Sequence, residues 1–119
     1  MSEFASEEEV EDYLRTSRKR TIREEFSQFI EFYVTSATMP TVSWYRHVNG
    51  VLDTANDRFW LTVTAMEEKD TFKVSLEIWD PKADTDSGEL NFLIKNETRE
   101  KTEKVFLSIK DYDPDNCVE

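Results

Sequence analysis

The sequence predicts an all-β fold, an antiparallel sandwich of two sheets, on three observations. Six segments alternate apolar and polar residues with a period of two or are rich in β-branched and aromatic residues. The two glycines and three prolines of the chain lie outside these segments, where turns are expected. No long stretch between the segments has the apolar period of a helix. Two sheets that each bury one face satisfy this pattern.

The predicted strands follow one another at short intervals along the chain. They cover residues 29–34, 41–45, 58–64, 71–78, 90–94 and 104–109. The strand at 71–78 is the clearest, because every second residue is apolar and would face the core. Those apolar residues are Phe72, Val74, Leu76 and Ile78. The strand at 104–109 is our candidate for an exposed edge that a partner strand could join.

The segment 6–26 has two interpretations. Its glutamate-rich start after Ser6 and its charge pairs four residues apart suit a helix. Residues 10–15 and 21–23 equally suit edge strands that lead into the next hairpin. We expect strands, and the helix remains the alternative.

The length of 119 residues suits one domain with its own core. We expect this domain to cover residues 9–111. The flanking segments 1–8 and 112–119 are acidic and are expected to be flexible.

The charge of the chain limits its partners. There are 15 lysines and arginines against 26 aspartates and glutamates, which gives a net charge of −11. Binding to duplex nucleic acid or to an anionic membrane requires a basic face, so neither is the expected partner. No apolar run approaches the length that spans a bilayer, and the first residues lack the features of a secretory signal. The single cysteine, Cys117, cannot form an internal disulfide, which favours a reducing compartment such as the cytoplasm.

Two spaced motifs carry a resemblance to a known family. Asp86-Ser-Gly-Glu leads into a predicted strand that ends at Lys95-Asn96-Glu97, and Trp44 lies in an earlier strand, in Pro40-Thr-Val-Ser-Trp-Tyr-Arg46. The chain resembles an immunoglobulin domain of the I-set type over about residues 9–111. The first motif is similar to the family's EF corner and F strand, and Trp44 to its core tryptophan. The resemblance implies an immunoglobulin-like antiparallel β-sandwich of seven to nine strands.

The chain departs from this family at its disulfide and at its corner tyrosine. The two cysteine positions are occupied by Phe32 and Phe92, and the tyrosine position by Leu90. We expect the two rings to pack around Trp44, each contributing about 2 to 3 kcal/mol through burial. With Leu76 these residues form the centre of the expected core. The other expected core residues are Ile30, Val34, Val42, Leu61, Phe72, Val74, Ile78, Ile94, Val105, Leu107 and Ile109.

The resemblance also implies an ion pair at one end of the sandwich. Arg58 matches the arginine that opens the family's D strand, and Asp86 matches its corner carboxylate. A bidentate pair there would be charge-assisted and partly buried. The alternative is two separate surface charges. Gly88 follows the corner, where a tight turn needs a positive φ.

Two groups of residues are candidates for binding a partner. Arg18, Lys19 and Arg20 belong to a basic stripe that either receives an acidic partner or balances the glutamates near the N-terminus. Trp60 and Trp79 lie off the core register, as do Phe29, Tyr33 and Phe106. These aromatic residues either form an interaction patch on one sheet face or show that the assigned register is wrong by one residue.

The residues indicate no enzyme, because the sole histidine, His47, has no nucleophile or paired carboxylate to act with. No cofactor or metal is expected. Resemblance to cysteine-poor I-set domains implies a non-catalytic structural and protein-binding module of a larger cytoskeletal or sarcomeric protein, of the group that includes titin, obscurin, twitchin, myomesin and myosin-binding protein C. Its partner would be a cytoskeletal or sarcomeric protein, and self-association stays open.

Two alternative functions remain. The first is an extracellular adhesion or receptor domain that has lost its disulfide, for which the glycosylation sequon at Asn96 would be the marker. The second is an accessory immunoglobulin domain that flanks a kinase.

Overall fold

The computed structural model describes residues 14–109, which form an immunoglobulin-like antiparallel β-sandwich of two four-stranded sheets. The expected fold class is therefore confirmed. The acidic segments 1–8 and 112–119, and Cys117, lie outside the described residues. In chain order the elements are β1 (Leu14–Arg23), β2 (Ser27–Ser36), β3 (Thr41–Val48), β4 (Val51–Asp53), β5 (Phe59–Ala65), β6 (Thr71–Trp79), the short helix α1 (Ala83–Asp86), β7 (Gly88–Lys95) and β8 (Glu100–Leu107).

The strand order is that of an immunoglobulin sandwich. One sheet has the order β1-β2-β6-β5 and the other β4-β3-β7-β8, with every neighbouring pair antiparallel. In the immunoglobulin convention, β1, β2, β6 and β5 correspond to strands A, B, E and D. β3, β7 and β8 correspond to strands C, F and G, and β4 is an additional strand beside β3. We call the two sheets the ABED sheet and the CFG sheet below. Within residues 14–109 no helix is long and apolar enough to cross a bilayer.

The core lies between the inner faces of the two sheets. Its buried hydrophobic residues are Ile30, Phe32, Val34, Trp44, Phe59, Val74, Leu76, Ile78, Leu90, Phe92, Ile94, Val105 and Leu107. The alternation predicted from the sequence therefore has the correct register on β2, β6, β7 and β8. Val42, Leu61 and Phe72 were also expected in the core, and they are only partly buried against it.

Two further residues differ from the expected core. Ile109 was expected inside and is only half-buried, because β8 ends two residues earlier at Leu107. Phe59 was not expected in the core, yet it is 92% buried, with a relative exposure of 8%. It has the same parity as Leu61 on β5, and it packs on Trp44 with ring centroids 4.6 Å apart. Strand parity alone would have placed it inside.

The N-terminal part of the chain is a strand where it is described. One continuous strand, β1, replaces the two short strands that were expected, and it pairs with β2. The pairing shifts register between Ser17 and Arg20, and Arg18 adopts a φ of +56° inside this bulge. The helix alternative is thus wrong for residues 14–23.

The strand β4 was not expected. It forms a hairpin with β3 through Asn49 and Gly50, whose φ angles are +52° and +78°. An Asn-Gly pair with two positive φ angles is the preferred two-residue hairpin turn. The dipeptide was therefore a usable sequence signal for this strand.

β8 also begins at Glu100, four residues before the predicted start.

Candidate functional site

The centre of the sandwich holds the aromatic residues that stand where the resemblance places a disulfide. Phe32 on β2 and Phe92 on β7 are fully buried and meet with ring centroids 5.1 Å apart, at an interplanar angle of 73°. Trp44 on β3 pairs directly with Phe92 in the CFG sheet. Leu76 and Leu90 are buried in the same cluster. Aromatic packing therefore joins the two sheets at this point.

Asp86 at the end of α1 is the centre of a buried ion cluster. Its carboxylate is fully buried and accepts hydrogen bonds from Arg58 Nη1 at 2.8 Å and Arg58 Nη2 at 3.1 Å. The structure thus brings Arg58 and Asp86 together in a bidentate pair. The backbone N–H of Lys82 donates to the same carboxylate at 2.7 Å.

A second arginine, Arg46, also binds Asp86, and the sequence reasoning missed it. Arg46 on β3 is buried and donates through Nη1 to Asp86 Oδ1 at 3.0 Å and through Nε to Asp53 Oδ2 at 2.9 Å. Its guanidinium carbon lies 4.5 Å from the centroid of the Phe59 ring. Arg46 has the same parity as Trp44 on β3, so an inward-facing arginine in need of a carboxylate was readable from the pattern.

The electrostatics of this cluster indicate a structural role. Burial raises the pKa of Asp86, but the hydrogen bonds from Arg58, Lys82 and Arg46 outweigh burial and hold the pKa below its ordinary value. The hydrogen bond to Asp86 in turn raises the pKa of Arg58. Both groups therefore remain charged near neutral pH. Both carboxylate oxygens of Asp86 already accept hydrogen bonds, so the cluster closes this end of the sandwich.

The basic stripe is engaged within the molecule along β1. Arg20 donates to Glu31 at 3.0 Å, and Lys19 lies 2.7 Å from Glu103 on β8. Burial raises the pKa of Glu103, but hydrogen bonds from Lys19 and Thr16 outweigh it and lower the pKa.

The remaining member of the candidate stripe is more loosely held. Arg18 lies 3.7 Å from Glu68, and both side chains are largely exposed. Its guanidinium also lies over the ring of Tyr33, 4.2 Å from the ring centroid. The three candidate cations therefore pair with glutamates of other strands and loops. The N-terminal glutamates offered as their partners lie outside the described residues.

Exposed aromatic side chains gather on the outer face of the ABED sheet. Trp60 on β5 is 64% exposed and Trp79 on β6 is 51% exposed, while Phe29 on β2 is half-buried. Phe26 in the turn before β2 is 64% exposed. The alternative of a one-residue register error is wrong, because Leu61, Ile78 and Ile30 beside these residues face inward.

Phe106 does not belong to this group. It is 73% exposed on β8, at the edge of the CFG sheet. It therefore lies on the outer face of the other sheet.

Glu77 lies at the centre of the aromatic group. It pairs with Phe29 on one side and with Trp60 on the other, and Trp79 follows two residues later on the same face of β6. Ser27 Oγ donates to Glu77 Oε2 at 2.7 Å. We call Phe26, Phe29, Trp60, Glu77 and Trp79 the tryptophan surface.

Two adjoining grooves cross the tryptophan surface. The first has a volume of about 300 Å³ and is lined by Asp57, Trp60, Glu77 and Trp79. Trp60 Nε1 donates to the carbonyl oxygen of Asp57 at 2.9 Å, which orients the indole. The second has a volume of about 290 Å³ and shares Glu77 and Trp79 with the first; its other lining residues are Glu24, Glu25, Phe26, Ser27 and Phe29. The site thus combines apolar walls with carboxylates.

Of residues 14–109, no three or more histidines, cysteines, aspartates or glutamates are grouped so that they could hold a metal ion. His47 is exposed on β3. The fold and the surface define an immunoglobulin-like sandwich with an aromatic, acidic groove on one sheet. No protein-family model matches the sequence, and a search of curated proteins finds no match either.

Proposed function

We propose that this chain is a non-catalytic structural and protein-binding immunoglobulin module of a larger cytoskeletal or sarcomeric protein in the cytoplasm. The tryptophan surface is the observation that carries the proposal. Large aromatic side chains are depleted from inert surfaces and enriched at the centres of protein interfaces. Trp60 and Trp79 are 64% and 51% exposed on adjacent strands of one sheet face, which favours a protein partner there.

The packing of the core supports the cytoplasmic part of the proposal. Phe32 and Phe92 occupy the positions of the immunoglobulin disulfide and are in direct contact. A core held together by aromatic packing needs no oxidising compartment to form. This arrangement is what the resemblance to cysteine-poor I-set domains of muscle proteins implies.

The sequon at Asn96 favours the same choice over an extracellular domain. Asn96 Oδ1 accepts from the backbone N–H groups of Thr98 at 2.9 Å and Arg99 at 2.7 Å. Its Nδ2, where a glycan would be attached, donates to the hydroxyl of the buried Ser36 at 3.1 Å. The side chain of Asn96 therefore holds the turn between β7 and β8 through hydrogen bonds, and this structural role accounts for an asparagine at this position without glycosylation.

The first strand supports the structural part of the proposal. β1 is hydrogen-bonded to β2 of the ABED sheet through the backbone. Lys19 and Thr16 of β1 reach Glu103 on β8 of the CFG sheet, at 2.7 Å and 2.8 Å. A strand that is tied to both sheets opposes their separation when the chain is pulled.

Affinity capture from striated-muscle lysate tests the proposal. The domain is compared with the double variant Trp60→Ser, Trp79→Ser and with the control Leu52→Ser, Phe106→Ser, which removes exposed apolar side chains from the other sheet. We expect cytoskeletal or sarcomeric proteins to be enriched by the unaltered domain and the control, and lost with the tryptophan variant. Retention of the same proteins by both variants would refute the tryptophan surface as the docking site, and no enrichment over an unrelated domain would refute the function.

A further inference from the structure

We propose that the groove between Trp60 and Trp79 binds an arginine side chain from a basic, extended segment of a partner protein. This inference rests on the proposed function and gives the chemistry of the partner at the tryptophan surface. It follows from the charge, the aromatic walls and the open hydrogen-bonding capacity of the groove.

The charge of both grooves is negative. Asp57 and Glu77 line the first groove, Glu24 and Glu25 line the second, and no lysine or arginine is among the described residues that line either. An apolar groove with only acidic charges attracts a cationic ligand and disfavours an acidic one. The partner segment is therefore basic, and a wholly apolar segment would leave these carboxylates without a counter-charge.

Glu77 retains capacity to accept hydrogen bonds. Its Oε2 accepts from Ser27, and among the described residues no cation pairs with either oxygen. The side chain is half-buried between Trp60 and Phe29, its neighbours across the sheet. A carboxylate in such apolar surroundings gains more from a cation than one in open water, because screening is weaker there.

An arginine fits this combination of groups. Its planar guanidinium stacks on an aromatic face and also presents several N–H donors to carboxylates. The same chain shows this pairing inside its own fold, where Arg46 lies 4.5 Å from the Phe59 centroid and donates to Asp86 at 3.0 Å. Trp60 and Trp79 would provide the aromatic faces of the groove, and Glu77 and Asp57 the carboxylates.

The second groove sets the side chain two positions away from the arginine in the segment. It adjoins the first through Glu77 and Trp79, and Phe26 and Phe29 form its apolar part. An extended peptide that places arginine in the first groove brings its next-but-one neighbour to the second, because only every second side chain of an extended segment faces the same way. That neighbour is expected to be apolar, because Phe26 and Phe29 offer it apolar area.

Binding of short probe peptides to the whole chain tests the inference. The probe is the pentapeptide acetyl-Leu-Ala-Arg-Ala-Leu-amide, whose leucines share a face with the arginine in an extended backbone, and its control carries citrulline, a neutral shape mimic, in place of arginine. Indole N–H resonances in a nitrogen-15 NMR spectrum report binding, with Trp44 as an internal reference because it is only 7% exposed. The variant Glu77→Gln removes the charge and keeps an oxygen that Ser27 can bind.

We expect the arginine peptide to shift the resonances of Trp60 and Trp79 but not that of Trp44. The citrulline peptide and the Glu77→Gln variant should each bind about tenfold more weakly, the size of effect found for a charged hydrogen bond. Stronger binding by a lysine peptide than by the arginine peptide would overturn the choice of arginine.

The inference and the proposed function can fail separately. Equal binding of the arginine and citrulline peptides, or binding of neither, overturns the cationic partner even if the lysate proteins still depend on Trp60 and Trp79. Concentration-dependent dimers seen by sedimentation, and lost in the Trp60→Ser, Trp79→Ser variant, would assign the surface to a second copy of this chain and overturn the inference as well.

Discussion

The rings of Phe32 and Phe92 meet edge to face in the middle of the sandwich, with centroids 5.1 Å apart and planes at 73°. One ring comes from each sheet, and both are fully buried. An aromatic pair in this geometry adds about 0.5 to 1.5 kcal/mol beyond the burial of its area. The contact thus links the sheets without a covalent bond.

Truncation of Phe92 tests this link. We expect Phe92→Ala to lower the free energy of unfolding by about 3 to 5 kcal/mol, because it leaves a cavity where two sheets meet. Urea denaturation followed by circular dichroism measures the change, with Phe92→Leu as a milder variant if the first does not fold. The control Phe106→Ala truncates a 73% exposed ring and should change stability by less than about 0.5 kcal/mol. Equal midpoints for the two alanine variants would contradict the assigned core.

Asp86 is expected to make stability depend on acidic pH. Hydrogen bonds from Arg58, Lys82 and Arg46 hold its pKa below the ordinary value despite burial. A carboxylate whose pKa is lower in the folded state contributes stability that is complete above its unfolded pKa of about 3.9. That contribution is lost as the pH falls through the folded pKa, so the domain should weaken steadily below about pH 4.

The variant Asp86→Asn tests this prediction. At neutral pH it should cost about 3 to 5 kcal/mol, because two guanidinium groups lose their buried counter-charge. The loss of stability between pH 5 and pH 2 should then be smaller than in the unaltered chain, as measured by chemical denaturation at a series of pH values. Asp84→Asn, on an exposed position of the same helix, is the matched control and should keep the full pH dependence. An unchanged slope in Asp86→Asn would argue against the buried cluster.

Reversing the charges of the basic stripe is expected to lower the stability of the domain without abolishing partner binding. In the variant Arg18→Glu, Lys19→Glu, Arg20→Glu, new carboxylates stand beside Glu103 and Glu31. We expect a loss of about 1 kcal/mol, reduced at high salt, because these pairs are partly exposed. Arg18→Glu alone should be near neutral, since its pair with Glu68 is 61% and 70% exposed.

The same triple variant should still capture the proteins that the unaltered domain captures from lysate. Loss of those proteins, with the variant still folded by circular dichroism at the temperature of capture, would assign docking to the stripe instead of the tryptophan surface.

Asn96 is expected to stabilise the turn before β8. Asn96→Ala removes its bonds to the Thr98 and Arg99 amides and to Ser36, which should cost about 1 to 2 kcal/mol in urea denaturation. Thr98→Val is the matched control, because it abolishes the sequon and keeps both backbone amides, and the hydrogen bond that it removes from Thr98 Oγ1 to Asn96 Oδ1 is long, at 3.4 Å. It should cost less than about 0.5 kcal/mol. If the two variants were equally stable, the structural role of Asn96 would be refuted.

Strand parity made most of the core predictable. Leu76 lies between polar residues, whereas Phe32 and Phe92 share the parity of the other apolar core residues on their strands, and each of the three faces inward as the alternation indicates. Strand parity also predicted that Trp60 and Trp79 face outward. Because such large aromatic side chains are uncommon on inert surfaces, a register error of one residue was an equal alternative. The structure removes that alternative because their neighbours Leu61 and Ile78 pack on the core.

The ion cluster was only half predictable. The pair of Arg58 and Asp86 came from a family resemblance, whereas Arg46 was missed. Its inward parity was visible, but nothing in the local sequence indicates that Asp86, forty positions later, lies within reach. Such a contact depends on how β3 and α1 are brought together, which no local pattern records.

By itself the sequence determined which side chains face inward and which face water, because the period of two follows from the geometry of an extended backbone. The tertiary structure alone decided which distant side chains become neighbours. Trp60, Glu77 and Trp79 surround one groove only because β5 pairs with β6 in this register. That register minimises the free energy of the whole sandwich, which neither strand encodes separately.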